Sequence, residues 1–164
     1  MAADLTYAPK IHKADGGDTL ICESGAKVAA ASSSASSPIL TLRSRVTIAN
    51  VNAGATLLAA LPGYKYRLVS AFAIAYGGAV GALTTVDILG TQSASSVKLV
   101  AYAQANLTQS TVLVSGGTGA AVLADGASYA VCDANTAITI GKTGSSGTTA
   151  TGVDVILNYA IEAA

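Results

Sequence analysis

The side chains able to carry chemistry are few, and their spacing does not gather them. His12 is the single histidine and lies close to Lys10 and Lys13. Acid–base or metal work needs partners that the sequence does not place beside it, so it reads as a solvated or interface residue. A Ser-His-Asp or Cys-His nucleophile has no GxSxG or comparable signature to stand on. Cys22 and Cys132 are far apart and outside any CxxC spacing, which points to free thiols in a reducing compartment rather than a metal site or disulfide framework. Asp15 and Asp18 flank Gly16-Gly17. They have the charge to share a calcium ion with backbone carbonyls, but an ordinary turn uses the same residues. Gly116-Gly117-Thr118-Gly119-Ala120 is like a phosphate-cradling loop, yet it lacks the GK[ST] ending and a βαβ setting, and reads as a turn. Asn106-Leu107-Thr108 is a glycosylation sequon, expected to be unused because the start MAADLTYAPK lacks the basic and apolar regions of a signal peptide. The expectation is therefore no catalytic residue, no metal and no cofactor.

Composition narrows the function classes further. Charged residues are 11% and hydrophobic ones 51% of 164, and nine basic residues cancel nine acidic ones. Nucleic-acid binding needs a basic field to displace counterions from phosphate, and none exists here. A surface so poor in charge predicts burial between subunits. The uncharged run from Leu68 to Val86 contains a Gly77-xxx-Gly81 spacing that a hydropathy scan would take for a membrane helix. Its alternation up to Tyr76, followed by Gly77-Gly78 and Thr84-Thr85, instead predicts two strands and a turn, with no membrane partner.

The elements that would position any site are strands. Residues 1–28 read as an extended arm of short β-like snippets broken by turns, too small to build a core of their own. Residues 29–38, AAASSSASSP, have linker composition. From residue 39 to 164, strand-like runs recur between turn signals at Asn52-Ala53-Gly54, Pro62-Gly63, Gly77-Gly78, Gly116-Gly117 and Asp125-Gly126, with a loop expected over Thr143 to Thr151. That punctuation, without an amphipathic helix, predicts an all-β fold: an antiparallel, jelly-roll-like sandwich carrying an extended N-terminal arm. Short helices over Asp125 to Asn135 or around Asn106 are weaker expectations.

The longest alternating run is Tyr64 to Tyr76, YKYRLVSAFAIAY. Strict period two puts Tyr64, Tyr66, Leu68, Phe72, Ile74 and Tyr76 on one face, expected in the sandwich interior. Lys65, Arg67, Val69 and the lane Ala71, Ala73, Ala75 fall on the other face. The alanine lane is expected to pack closely against a covering sheet or a neighbouring subunit. Val153, Val155, Leu157, Tyr159 and Ile161 predict a last strand with one buried row beside that run. Asp154 points away from this row and is expected at a rim or inter-subunit contact with Lys65 or Arg67. Six tyrosines in the body bring aromatic area with a hydroxyl that needs a partner, which suits core edges and subunit contacts. Sugar stacking is the sharper alternative, although the chain has no tryptophan.

Three stretches carry a family resemblance: ADLTYAPKIHKADGGDTLICESGAKV at the start, YKYRLVSAFAIAYGGAVGALTTVDIL in the middle and AITIGKTGSSGTTATGVDVILNYAIE at the end. In arm, small-residue linker and glycine-punctuated β domain, the chain resembles head decoration and head-fibre proteins of tailed bacteriophages. The resemblance implies a virion protein made in the host cytoplasm. Its arm, with Leu5, Tyr7, Ile11, Leu20 and Ile21, would bind the major capsid protein, and its body would form a homotrimer on the capsid surface. The family has no catalytic residues to transfer. The rival readings are a receptor- or glycan-binding tip module of a phage fibre and a small β-sandwich hydrolase or lyase.

Overall fold

The computed structural model describes residues 11–13, 20–22, 38–123 and 130–164. Contacts divide the chain into two units, Met1–Ala35 and Ser36–Ala164. In the first, β1 (Ile11–Lys13) and β2 (Leu20–Cys22) pair antiparallel, with His12 opposite Ile21.

The second unit is a two-sheet sandwich. Its strands are β3 (Leu40–Thr47), β4 (Thr56–Leu58), β5 (Tyr64–Tyr76), β6 (Gly81–Gln92), β7 (Ser95–Ala103), β8 (Leu113–Val114), β9 (Val122–Leu123), β10 (Ile138–Thr148) and β11 (Gly152–Ala163). One sheet has the order β3-β11-β5-β8 and the other β4-β10-β6-β7-β9, and neighbouring strands in both run antiparallel. Leaving β9 aside as an extra edge strand, the chain alternates between the sheets in the double Greek-key order of a jelly roll. The expected all-β, antiparallel sandwich is therefore the fold observed over residues 38–164. Gly77 and Gly78, both at positive φ, do not close a hairpin: they carry the chain from β5 in one sheet to β6 in the other.

Two expected elements come out differently. The run Arg45 to Val51, one of the strand-like runs that the sequence sets between turn signals, is strand only to Thr47 and then becomes helix α1 (Ile48–Ala53). The Thr47 hydroxyl accepts from the Asn50 amide as N-cap, Gly54 closes the helix in the left-handed conformation, and Val51 is fully buried. The expected Thr143 to Thr151 loop is instead largely strand: β10 runs to Thr148 through two register shifts, and Asn52 of α1 pairs both ways with the Gly147 backbone (3.1 and 2.6 Å). The β6–β7 hairpin turns at Ser93 and Ala94, both at positive φ, a conformation that costs non-glycine residues. Asp133 offsets that cost by accepting both turn amides, at 3.0 and 2.7 Å. Around Asn106 the chain makes the single 3-10 turn Gln104–Asn106.

The decisive local feature is a bulge. Asn158 of β11 faces Ser70 of β5, but Tyr159 faces Leu68, so Val69 is an extra residue on β5. One extra residue inverts every side chain beyond it. Tyr66 and Leu68 point inward before the bulge; Ala71, Ala73 and Ala75 point inward after it, at 0, 1 and 3% exposure. Phe72 and Ile74, expected inside, stand half-buried on the outer face. Their expected place is filled from the opposite sheet, where Ile88, Val100, Tyr102 and Ile140 are fully buried in the same core. Small alanines on one sheet thus leave room for bulky residues from the other, which is how close-packed interiors are filled. β11 keeps its expected inward row Val153, Val155 and Leu157.

Candidate interaction surface

The alanine lane is already spent inside one chain, so Ala71, Ala73 and Ala75 do not form the subunit contact expected of them; the covering-sheet alternative holds. The outer face of the β3-β11-β5-β8 sheet takes their place as the surface of interest. Register sets out its rows. Arg43, Ile156, Phe72 and Val114 lie in one row across all four strands. Ile74 stands beside Phe72 on β5, and Ile156 and Val114 are exposed. A water-facing sheet surface normally alternates to polar side chains; here an apolar stripe crosses it.

Polar pairs flank the stripe. On one side Thr41, Asn158 and Ser70 form a hydrogen-bonded ladder: the Thr41 hydroxyl donates to Asn158 Oδ1 and Asn158 Nδ2 donates to Ser70 Oγ, both at 2.8 Å. On the other, Arg45 grips Asp154 with two bonds of 2.7 Å and lies 4.5 Å over the Tyr76 ring. This corrects the expected partner of Asp154: Arg45 sits directly opposite it in the β3–β11 register, whereas Arg67 faces Ala160 and reaches diagonally to Glu162 at 2.6 Å. Lys65 faces Glu162 across the same pair of strands. Of the other expected site residues, Leu5 and Tyr7 lie outside the described residues, while the backbones of Ile11, Leu20 and Ile21 belong to the β1–β2 pair.

The guanidinium partners hold the Asp154 and Glu162 carboxyls below the usual carboxylate range. A depressed folded-state pKa contributes stability that is present above the unfolded value and is lost as pH falls through the folded one. Urea midpoints should therefore drop below about pH 4, and an Asp154→Asn, Glu162→Gln variant should lose less over the same range. An equal drop in both proteins would remove these pairs from the acid response.

A second apolar feature adjoins the stripe. An open cleft of about 290 Å³ lies between the edge strands β8 and β9, lined by Val112, Val114, Ala121 and Val122 with Asn106 and Thr111 among the polar members. Val112 is 53% exposed at its mouth, and Leu123 on β9 is also exposed. Sequence reading missed this edge because Val112 and Val114 look like ordinary strand residues. Val114 lines the cleft and also ends the outer-face row, so the apolar surface continues from the face around the edge.

The nearest approach to chemistry is a buried polar cluster on β6. Asp87, 1% exposed, accepts from the Thr143 hydroxyl at 2.7 Å and pairs with Lys98 at 3.2 Å, while its Oδ1, Thr85 Oγ1 and the Tyr102 hydroxyl have no partner. Burial pushes the Tyr102 hydroxyl far above its usual range and also raises the Cys132 thiol, so neither is poised as a nucleophile near neutral pH. Among the described residues, no group of three His, Cys, Asp or Glu side chains is placed to hold a metal ion, and no helix is long and apolar enough to cross a membrane.

The tyrosines are mostly committed. Tyr66 is buried, donates to the Ala59 carbonyl at 2.7 Å and meets Tyr159 edge-on at 5.8 Å; Tyr102 is in the core and Tyr76 lies under Arg45. These rings are not arranged as a sugar-stacking platform.

Fold and surface together define a jelly-roll sandwich that displays apolar area on one face and the adjoining edge. No protein-family model, curated protein or solved structure matches the chain.

Proposed function

We propose that this chain is a non-enzymatic structural protein of a phage virion, decorating and stabilising the capsid surface as a homotrimer anchored by its N-terminal arm. The observation that carries the reading is the apolar stripe of Ile74, Phe72, Ile156 and Val114 on a face that a free-standing sandwich would make polar. Such area is kept for a macromolecular contact. The jelly roll recurs in viral capsid proteins, which supports the reading by analogy of fold alone. A protein spread over a lattice needs each contact to be only modest, because many sites act together.

In this reading residues 1–28 bind the major capsid protein and residues 29–38 connect them to the body. Removing residues 1–38 should leave a folded oligomer with native far-UV circular dichroism that no longer co-sediments with capsids. Decoration at the wild-type level by the truncated protein would overturn the arm's role. A receptor- or glycan-binding tip is the competing function, and the commitment of Tyr66, Tyr76 and Tyr102 to intramolecular contacts weighs against it.

A further inference from the structure

We propose that Lys98 and Asp87 condense into an internal isopeptide bond, an amide that ties β7 to β6 through their side chains. The modification is made by the fold itself and needs neither a partner nor a second copy.

The register of the sheet delivers the amine. Asp87 of β6 faces Ala101 and Ile88 faces Val100, but Leu89 faces Lys98, so Leu99 is an extra residue on β7. Without that bulge Lys98 would stand on the opposite face from Asp87; with it, the lysine shares the carboxylate's face one row away. Thr143 of β10, opposite Thr85, brings a hydroxyl from the other side. The three groups close a triangle. Lys98 Nζ donates to Thr143 Oγ1 at 2.5 Å, Thr143 Oγ1 donates to Asp87 Oδ2 at 2.7 Å, and Nζ lies 3.2 Å from Oδ2.

An ordinary ion pair fits this place badly. Asp87 is buried, and its register partners on either side are Gly141 and Ala101, neither of which has a polar side chain. Both donors go to Oδ2, while Oδ1 is buried without a partner among the described residues. A buried carboxylate with one oxygen left unbonded carries a desolvation cost that a single partly exposed lysine offsets only in part. Condensation removes both charges at once. It leaves Oδ1 as an amide carbonyl oxygen, which is less costly to bury than a carboxylate oxygen.

The step balances within the triangle. Nζ gives one proton through the Thr143 hydroxyl to Oδ2, so that ammonium and carboxylate become amine and carboxylic acid, the neutral pair that burial favours. The amine nitrogen then attacks Asp87 Cγ and forms the C–N bond. A second proton follows the same route, the Cγ–Oδ2 bond breaks, and Oδ2 leaves as water. No oxidant or further reactant is consumed. Groups held about 3–3.5 Å apart react as if at concentrations on the order of 10⁵–10⁸ M, and a buried carboxyl withholds the water that would reverse the reaction. The bond closes the β6–β7 hairpin covalently around the Ser93-Ala94 turn, whose two residues sit at positive φ.

Intact-mass spectrometry of the full-length protein, purified folded and then denatured, reads the bond directly. Wild type should be lighter than its sequence by one water, and a tryptic digest should hold a branched peptide joining the segments around Asp87 and Lys98, with no cleavage after Lys98. Lys98→Arg keeps the positive charge but lacks a primary amine, and should recover the full sequence mass. Thr143→Val keeps amine and carboxylate but removes the relay; it should be recovered mostly at full mass, since proton transfer through a placed group contributes on the order of 10²–10⁴-fold. A wild type at full sequence mass overturns the proposal. A water loss that persists in Lys98→Arg also overturns it, because the loss then arises elsewhere, as in a succinimide at Asp125-Gly126. Complete cross-linking in Thr143→Val overturns the relay assigned to Thr143.

Discussion

Replacing Ala73 with glutamate is expected to unfold the sandwich, with a loss of about 4 kcal/mol or more, enough to consume much of a small domain's stability. Ala73 is 1% exposed and packs in the core with the opposite sheet. A glutamate there must bury a carboxylate without a partner and force extra atoms into a filled interior, and both effects are costly. The neighbouring change Ile74→Glu exchanges a half-buried residue on the outer face and should leave the far-UV spectrum and urea transition nearly intact. This pair of variants tests the bulge at Val69 directly. If Ala73→Glu folds with a wild-type urea midpoint and Ile74→Glu does not fold, β5 alternates without interruption and the described inward set is wrong.

The second large effect is expected at Gly152, the first residue of β11, for a reason unrelated to backbone flexibility. Gly152 lies between Thr47 of β3 and Tyr76 of β5. A Cβ there would stand 2.1 Å from the Val46 carbonyl oxygen and 2.6 Å from the Tyr76 hydroxyl. A side-chain tip can rotate away, but the Val46 carbonyl is fixed by the strand that leads into α1, and its neighbour Thr47 is that helix's N-cap. Gly152→Ala must therefore displace backbone, and a cost of about 3 kcal/mol follows from the overpacking range. For a body of this size that is a fall of roughly 6–12 °C in melting temperature. Gly119→Ala is the matched control, since no atom lies near its would-be Cβ and its φ is not positive; it should melt like wild type. Equal melting temperatures for the two variants would show that the β3–α1 junction yields freely.

Much of the architecture was legible because it depends on local periodicity. Alternating runs between glycine, proline and asparagine signals were enough for an all-β sandwich, and the Val153, Val155 and Leu157 row was enough to place β11 beside β5. The Ser93-Ala94 turn was not legible, because neither residue favours positive φ; the stabilising group is Asp133, about forty residues away. The switch from strand to helix after Thr47 was hidden in the same way, since Val46 and Ile48 alternate as in a strand, Val51 adds another β-branched residue, and the cap becomes visible only once Asn50 folds back.

The sequence alone determined the fold class, the strand pairing of β5 with β11 and the shortage of catalytic groups, since composition and side-chain period act within a few neighbouring residues. Tertiary structure alone decided which side of β5 is the inside. Little in YKYRLVSAFAIAY marks Val69 as a bulge, because large residues keep the even positions on both sides of it with Ser70 as the one gap. The extra residue is defined only by what lies opposite, the step from Asn158 to Tyr159 on β11. That single offset sends the alanines to the core, where bulky side chains of the other sheet fill the space above them. It also turns Phe72 and Ile74 outward, and so creates the apolar face on which the proposed assembly depends.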